Sequence, residues 1–377
     1  MATITYPALL EIDFGAIKQL AEGLRRNNIS RPLICTDKGI IASGIFDTVR
    51  GVVPNDVTLT VYDETPGNPT ERAVKDAARI YRENDCDGVI ALGGGSSIDL
   101  GKAVSLSITH DGPIDNYSVV NGGRDKIGDT PPIIAIPTTA GTGSEVGGGS
   151  VIITEDGQKT VIVSPKLIPK MAICDPDLTL GLPKQLTAAT GMDAMAHCIE
   201  AYLTPIVNPP AAAIGLDGLE RVVTYLKRAV DDGQDKEARW NMMMAASEGA
   251  MAFAKGLGAV HSMSHAVGAD QALRLHHGTL NAVLLPTVLR FNADHVGDKY
   301  VRLRRAMGLA EGADISAWIE EFNHSINLPA NLGEMGVTHE MIPDLSDHCM
   351  TDACHFSNPK IPTVEEYRQM FADAIAG

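Results

Sequence analysis

Asp193 and His197 stand four residues apart in Gly191-Met-Asp-Ala-Met-Ala-His197, and His261 and His265 repeat that interval in His261-Ser-Met-Ser-His265. At i, i+4 on a helix, the members of each pair share one face. Nitrogen and oxygen donors without a thiolate suit Fe²⁺, Zn²⁺, Mn²⁺ or Co²⁺, and spacing does not choose among these ions. His276-His277-Gly278 follows soon after. His261 and His265 are both placed to reach one cation, so the residues alone leave open which of them binds. A single histidine reads more readily as a hydrogen-bonded core residue. Two such pairs on helices of small residues (Ala188, Ala189, Ala194, Ala196) make the stronger case, because a lone buried charge is costly. Met242-Met243-Met244 and Met251 read as core packing.

A second kind of chemistry sits upstream. Gly93-Gly-Gly-Ser-Ser-Ile-Asp99 joins a strand-like run, Val89-Ile-Ala-Leu92, to a helical pattern over Ile98 to Leu106. Small residues there let the backbone approach a ligand, and the first N–H groups of the helix point at it, as a phosphate site requires. Asp99 follows Ser96 at the capping-box interval and is expected to fix the helix start. The spacing is not GxGxxG, and an unliganded βα turn explains this segment alone equally well. Pro137-Thr-Thr-Ala-Gly-Thr-Gly-Ser-Glu145 shifts the balance, since it also follows a strand-like run, Ile133 to Ile136. Polar loops at strand carboxyl ends mark the crevice of an α/β sheet. Asp37, in Leu33-Ile-Cys-Thr-Asp-Lys38, is placed either to accept from an adenosine ribose or to cap the next helix.

These residues need positioning elements. Strand-like runs at Pro32–Thr36, Thr58–Tyr62, Gly88–Leu92 and Ile133–Ile136 alternate with amphipathic stretches such as Thr70 to Asn84, a pattern that predicts a doubly wound parallel sheet. Ser150–Thr154 and Lys159–Val163 flank the turn Glu155-Asp156-Gly157 and predict a hairpin. After Leu182-Pro183 only helical patterns remain, over Lys184–Leu203, Ala211–Ala229, Asp235–Lys255 and beyond. The expectation is an α/β dinucleotide-binding domain over 1–180 and an all-α domain over 181–377.

Composition bounds the rest. The chain has 377 residues, 44% apolar and 21% charged, enough for two domains with a large core. A net charge of −16 repels nucleic acid and anionic membrane, so an anionic cofactor must be held by local devices. Six cysteines without a CxxC pair read as reduced thiols, which fits a cytoplasmic protein. The first residues lack a basic n-region and a long apolar stretch, so no secretory signal is expected, and no apolar run approaches the ~18–20 residues that span a bilayer.

Together, Thr36-Asp37-Lys38, Gly93–Asp99, Pro137–Glu145, Asp175-Pro176, Asp193-x3-His197-x2-Glu200, His261-x3-His265, His277-Gly278 and Asn358-Pro359 resemble the iron-containing (group III) alcohol dehydrogenases nearly end to end. The resemblance implies a dehydroquinate synthase-like fold: a Rossmann-like N-terminal domain, a helical C-terminal domain and a cleft between them. It implies Asp193, His197, His261 and His277 as ligands of Fe(II), with Zn(II) as a substitute, and His265 as a catalytic non-ligand near the nicotinamide. It places Gly94, Gly95, Ser96 and Asp99 at the pyrophosphate of NAD and Thr138, Thr139, Thr142 and Ser144 along the rest of it. Lys159 and Leu178 would be further contacts, and Asp37 matches the position associated with NAD over NADP. One departure is that His261 and His277 are sixteen apart where the family commonly has fourteen, which a longer loop absorbs. His277 rather than His276 is chosen because it precedes Gly278.

The implied chemistry is interconversion of an alcohol (primary alcohol, diol or short hydroxy acid) and its aldehyde or ketone. The metal acts as a Lewis acid on the substrate oxygen, and hydride passes to C4 of NAD. The implied partners are a small-molecule alcohol or aldehyde and further copies of the chain, as a homo-oligomer. A dehydroquinate synthase-like lyase would need a Lys and Arg cluster for an anionic substrate, whereas Lys255 and Arg274 stand largely alone. A maleylacetate reductase-like enzyme would lack the full ligand set. A non-catalytic, metal-stabilised protein would give no alcohol-dependent NADH.

Overall fold

The computed structural model describes residues 9–270 and 272–377. Among them the chain forms two compact units. One holds the described residues up to Thr139 together with Gly143–Gly181, the other Ala140–Thr142 and Leu182–Gly377.

The first unit carries eight strands: β1 (Leu9–Ile12), β2 (Pro32–Cys35), β3 (Thr60–Tyr62), β4 (Gly88–Gly93), β5 (Ile133–Pro137), β6 (Gly149–Ile153), β7 (Lys159–Val163) and β8 (Met171–Cys174). Six form one parallel sheet in the order β1-β8-β5-β4-β2-β3, and β6 and β7 pair as the expected hairpin. β1 and β8 go beyond the strands read from the sequence; each has four residues, too few for a periodic signal. Every residue of β2, β4, β5 and β8 is buried, as a parallel sheet covered on both faces requires. Alternation then sorts the side chains. Leu33, Cys35, Val89, Ala91, Ile133 and Ala135 enter one core with Ala77 and Val104, while Ile34, Ile90, Leu92, Ile134 and Ile136 enter the other with Leu20 and Val49.

β2 lies between β3 and β4, so the crossovers leaving β2 and reaching β4 run in opposite directions and open a crevice at the strands' carboxyl ends. In register, Gly93 ends β4 beside Pro137 at the end of β5. Gly93 has φ +144°, and a Cβ there would meet the Ser97 hydroxyl at 2.6 Å, so the turn demands glycine. The helix Gly95–Thr109 follows, with Gly94 as its N-cap and no side-chain cap. This corrects the expected Ser96–Asp99 capping box. The Ser96 hydroxyl donates to the Gly67 carbonyl (2.5 Å), and the Asp99 carboxylate accepts from Ser144 Oγ (2.5 Å) and Val151 N (2.9 Å). Partners distant in sequence outcompete the helix's own first turn for both side chains.

The second unit has no strand among its described residues. Its centre is the helix Lys184–Leu203, in which every residue from Thr187 to Leu203 is buried, so it shows no amphipathic stripe. Pro209–Asp231 and Lys236–Ala252 pack on it, capped by Asn208 and Asp235. Ala259–Gly268 and His277–Asn292 complete the frame of the metal-type residues. Asn358 accepts from Ala259 N (3.0 Å) and donates to Asn292 (2.8 Å), which explains the Asn358-Pro359 motif as a brace between two of these helices. No described helix is long and apolar enough to cross a membrane.

Candidate metal centre and cofactor loop

Asp193 and His197 lie one turn apart on Lys184–Leu203, His261 starts Ala259–Gly268, and His277 starts His277–Asn292. Three imidazoles surround one carboxylate oxygen. From Asp193 Oδ1, the Nε2 atoms of His197, His261 and His277 are 3.8, 3.9 and 3.6 Å away. Ligands at ~2.1 Å from a tetrahedral ion stand about 3.4 Å apart, so each of these three carboxylate–imidazole distances is a few tenths of an ångström longer than a shared cation requires. Asp193, His197 and His261 form a group whose donor atoms all lie within 4.8 Å of one another, and His277 stands beside that group. Gly278 permits the approach of the third helix. A Cβ there would lie 2.2 Å from the Ala189 carbonyl and 3.2 Å from Asp193 Cβ. Asp193, His197 and His261 are buried, whereas the His277 side chain retains 24% exposure and marks the accessible side.

Asn281, one turn beyond His277, was not singled out in the sequence. Its Nδ2 lies 2.7 Å from Asp193 Oδ1, 3.2 Å from His261 Nε2 and 3.1 Å from His277 Nε2. An amide has two hydrogens for these three acceptors, and its own Oδ1 is buried without a hydrogen-bond partner. The cluster is thus rich in lone pairs and poor in donors, which fits a cation.

Two of the three outward nitrogens are held, whereas His197 Nδ1 is buried without a hydrogen-bond partner. His261 Nδ1 is 2.5 Å from Glu200 Oε2, and the other Glu200 oxygen accepts from Val260 N (2.8 Å). His277 Nδ1 is 3.3 Å from the Ser264 hydroxyl. Partners at Nδ1 leave Nε2 as the coordinating atom, the usual arrangement behind histidine ligands. Burial pushes the His197 imidazole down to about 4 against the pull of Asp193, which keeps it neutral, the ligand form. His265 stands beside this group, its ring 5.4 Å from that of His277, and its Nδ1 is 2.9 Å from Asp352 Oδ2. Lys255 is buried and donates to the Tyr202 carbonyl (3.3 Å). His276 is exposed, next to His277.

In the first unit, the residues expected at a cofactor divide. Asp37 lies two residues beyond β2, next to the glycine turn, and a Cβ on Gly93 would sit 3.5 Å from its Oδ2. Its other oxygen caps the helix Lys38–Ala42 through Ile40 N (3.0 Å), so the capping role is real. Gly94 and Gly95 open the long helix, with Thr138 at the end of β5 and Thr139 facing Gly94. Lys159 is 3.4 Å from Asn68 Oδ1, next to the Gly67 that Ser96 holds. Asp99 and Ser144 bind each other, and Ser144 also accepts from Lys102 Nζ (2.8 Å), a fully buried lysine that the sequence did not mark. Leu178 packs in the core under Leu92 and Ile136. Thr142 falls in the other unit, with Ala140–Thr142.

The comparisons decide the family. Residues 7–176 match the family model of iron-containing alcohol dehydrogenase, and residues 187–375 match that of the C-terminal part of the Fe-containing alcohol dehydrogenase family. A 4-hydroxybutyrate dehydrogenase of Cupriavidus necator is 50% identical with full coverage of both chains. The chain belongs to the iron-containing alcohol dehydrogenase family. Among solved structures, a 1,3-propanediol oxidoreductase superposes with a TM-score of 0.93 at 31% identity, covering 99% of this chain and 100% of that one. Sulfoacetaldehyde reductase from Bifidobacterium kashiwanohense in complex with NAD⁺ reaches 0.89 at 27%, covering 100% and 99%. The expected fold, a Rossmann-like parallel-sheet domain followed by a helical one, is that of the family, and the protein is an alcohol oxidoreductase.

Proposed function

We propose that the protein is a metal-dependent, NAD(H)-linked dehydrogenase that interconverts a short primary alcohol, diol or hydroxy acid with its aldehyde. The convergence of three imidazole Nε2 atoms on Asp193 Oδ1 carries this reading. Asp193, His197, His261 and His277 would hold Fe(II), with Zn(II) as a substitute. Such an ion supplies Lewis-acid polarisation of the substrate oxygen. The excess of lone pairs around Asn281 and the neutral state of His197 support it.

NAD would lie at the carboxyl ends of β2, β4 and β5, its pyrophosphate over Gly94, Gly95 and the first turn of Gly95–Thr109, whose N–H groups lack a side-chain cap. Asp37 would accept from the ribose hydroxyls and disfavour a 2′-phosphate. Ser96, Thr138, Thr139, Thr142 and Lys159 complete the assignment, while Asp99, Ser144 and Leu178 shape the loop from behind. His265 takes the proton that the alcohol oxygen releases, as hydride leaves the adjacent carbon for the nicotinamide.

The half-identical 4-hydroxybutyrate dehydrogenase makes 4-hydroxybutyrate the first substrate to test, beside 1-butanol, 1,3-propanediol and methanol. Metal-stripped protein, reconstituted with Fe²⁺ or Zn²⁺, is assayed with each alcohol and NAD⁺ or NADP⁺ by the absorbance of the reduced nicotinamide. The expected result is metal-restored, NAD⁺-dependent oxidation. Equal rates with and without metal would refute the assignment.

A further inference from the structure

His265 is paired with a residue from a distant part of the chain. Asp352 lies 87 residues on, beyond the helix Ile342–Cys349, and its Oδ2 is 2.9 Å from His265 Nδ1. Both side chains are buried. The other carboxylate oxygen is fixed too, accepting from Cys354 N (2.8 Å) and from the Ser262 hydroxyl (3.3 Å). Burial alone would push the Asp352 carboxyl up, but His265 and the Cys354 donors outweigh it and hold the group at about 2, so it is a carboxylate at neutral pH.

An ionised carboxylate with no hydrogen of its own accepts only. The hydrogen of a neutral His265 therefore sits on Nδ1, and its lone pair on Nε2. His265 stacks on His277 at 5.4 Å and meets His261 edge-on at 6.0 Å, so the ring sits against two of the proposed ligands while its Nδ1 is tied to the opposite partner. Asp352 is outside the group of donors formed by Asp193, His197 and His261 and belongs to a second one, with His265 and Cys354.

We infer that Asp352 is a positioning residue for alcohol oxidation. It selects the His265 tautomer that offers Nε2 as the base, and it stabilises the ring after the proton arrives. This rests on the proposed dehydrogenase reading. The step balances as follows: the alcohol loses its O–H proton to His265 Nε2 and the hydride of its carbon to NAD⁺, giving aldehyde, NADH and a doubly protonated His265, which passes one proton to water. In hydrolytic triads, an aspartate that orients a histidine in this way is worth several orders of magnitude in turnover.

The test uses the full-length protein and the variants Asp352→Asn, Asp352→Ala, His265→Ala and the Asp352→Ala/His265→Ala double. Ring ¹⁵N spectra of the metal-free and Zn²⁺-loaded protein should show the His265 hydrogen on Nδ1 in the wild type and a shift toward Nε2 in Asp352→Asn. With 4-hydroxybutyrate or 1-butanol, kcat should fall about 100-fold or more in either Asp352 variant, with KM and bound metal unchanged. The double variant should be no slower than His265→Ala alone, because Asp352 acts only through that ring. Additive losses, an unaltered tautomer in Asp352→Asn, or loss of metal from it would overturn the assignment. Should Asp352→Ala fail to fold, the near-isosteric Asn variant still decides the tautomer. A wild type that oxidises no alcohol but shows the tautomer shift would sink the dehydrogenase reading while leaving Asp352 as the residue that orients His265; an active wild type with Asp352→Asn equally active would sink the Asp352 role alone.

Discussion

The metal-type cluster and the glycine turn are made of different material. In the second unit the cluster is built of side chains: Asp193, His197, His261 and His277 come from three helices, and the outward nitrogens of His261 and His277 meet Glu200 and Ser264. In the first unit the polar side chains that looked most like ligands are largely committed to the protein. Asp99 and Ser144 hold each other with Lys102, and Ser96 holds Gly67. The first turn of Gly95–Thr109, by contrast, keeps its backbone N–H groups without a side-chain cap. A site of side chains declares its chemistry through residue type, whereas a turn of backbone declares mainly its shape, and the polar residues around it serve in part to keep that shape.

That contrast predicts where single substitutions act. The largest effect is expected at the metal cluster. His277→Ala or Asp193→Ala should abolish bound metal and reduce turnover by at least about 10³-fold, because losing one of four ligands leaves the rest arranged around an incomplete site. His265→Ala should keep the metal and still lose turnover. Elemental analysis beside kinetics separates the two cases, and wild-type metal content in His277→Ala would remove it from the ligand set.

Next in size is Gly278→Ala. A Cβ there would collide with the Ala189 carbonyl at 2.2 Å, so the start of His277–Asn292 must move away from Asp193. Overpacking of this kind costs roughly 1–3 kcal/mol, and the displacement should weaken metal affinity about 10- to 100-fold. Thermal unfolding and metal titration read the two effects. An unchanged affinity would mean that His277 reaches the centre by side-chain freedom and not by helix placement.

The glycine turn should answer differently. Lys102→Met leaves Asp99 without its cation. Breaking a buried pair from one side costs roughly 3–5 kcal/mol, so Tm should fall and NAD⁺ binding weaken while metal content holds. Burial pushes Lys102 down to about 8 from its ordinary value near 10.5, against the pull of Asp99 and Glu145. Between those values the unfolded chain binds more protons, so this lysine makes stability rise with pH across about 8 to 10.5. That slope in Tm against pH should shrink in Lys102→Met, and an identical slope would show that other groups set it.

The difference between the regions also governs what could be read from the chain itself. The i, i+4 pairs were visible because helix periodicity turns sequence spacing into shared faces, and the four apolar runs became β2 to β5 for the same kind of reason. Asn281 stands at that interval from His277 and was overlooked because an amide is a weak metal signal. The pairing of Asp352 with His265 left no trace, since nothing local joins residues 87 apart. The Ser96–Asp99 interval misled in the opposite direction: a local motif was overruled by the hairpin packed on the same helix. Short strands such as β1 and β8 are held by sheet neighbours, which are invisible to a window of four residues.

The smallest expected effect tests whether one residue serves both the fold and the cofactor. Asp37 caps Lys38–Ala42 through Ile40 N and lies beside the glycine turn. Asp37→Ala should cost about 1 kcal/mol as a lost cap. Asp37→Ser keeps a capping oxygen but removes the charge, so its stability should stay within about 0.5 kcal/mol of wild type. If the carboxylate repels a 2′-phosphate, Asp37→Ser should nevertheless raise kcat/KM with NADP⁺ relative to NAD⁺ by roughly tenfold, the equivalent of about 1.4 kcal/mol. A serine variant with wild-type stability and wild-type preference would show that the carboxylate matters only to the helix, and that the choice between the two nucleotides is made elsewhere around the turn.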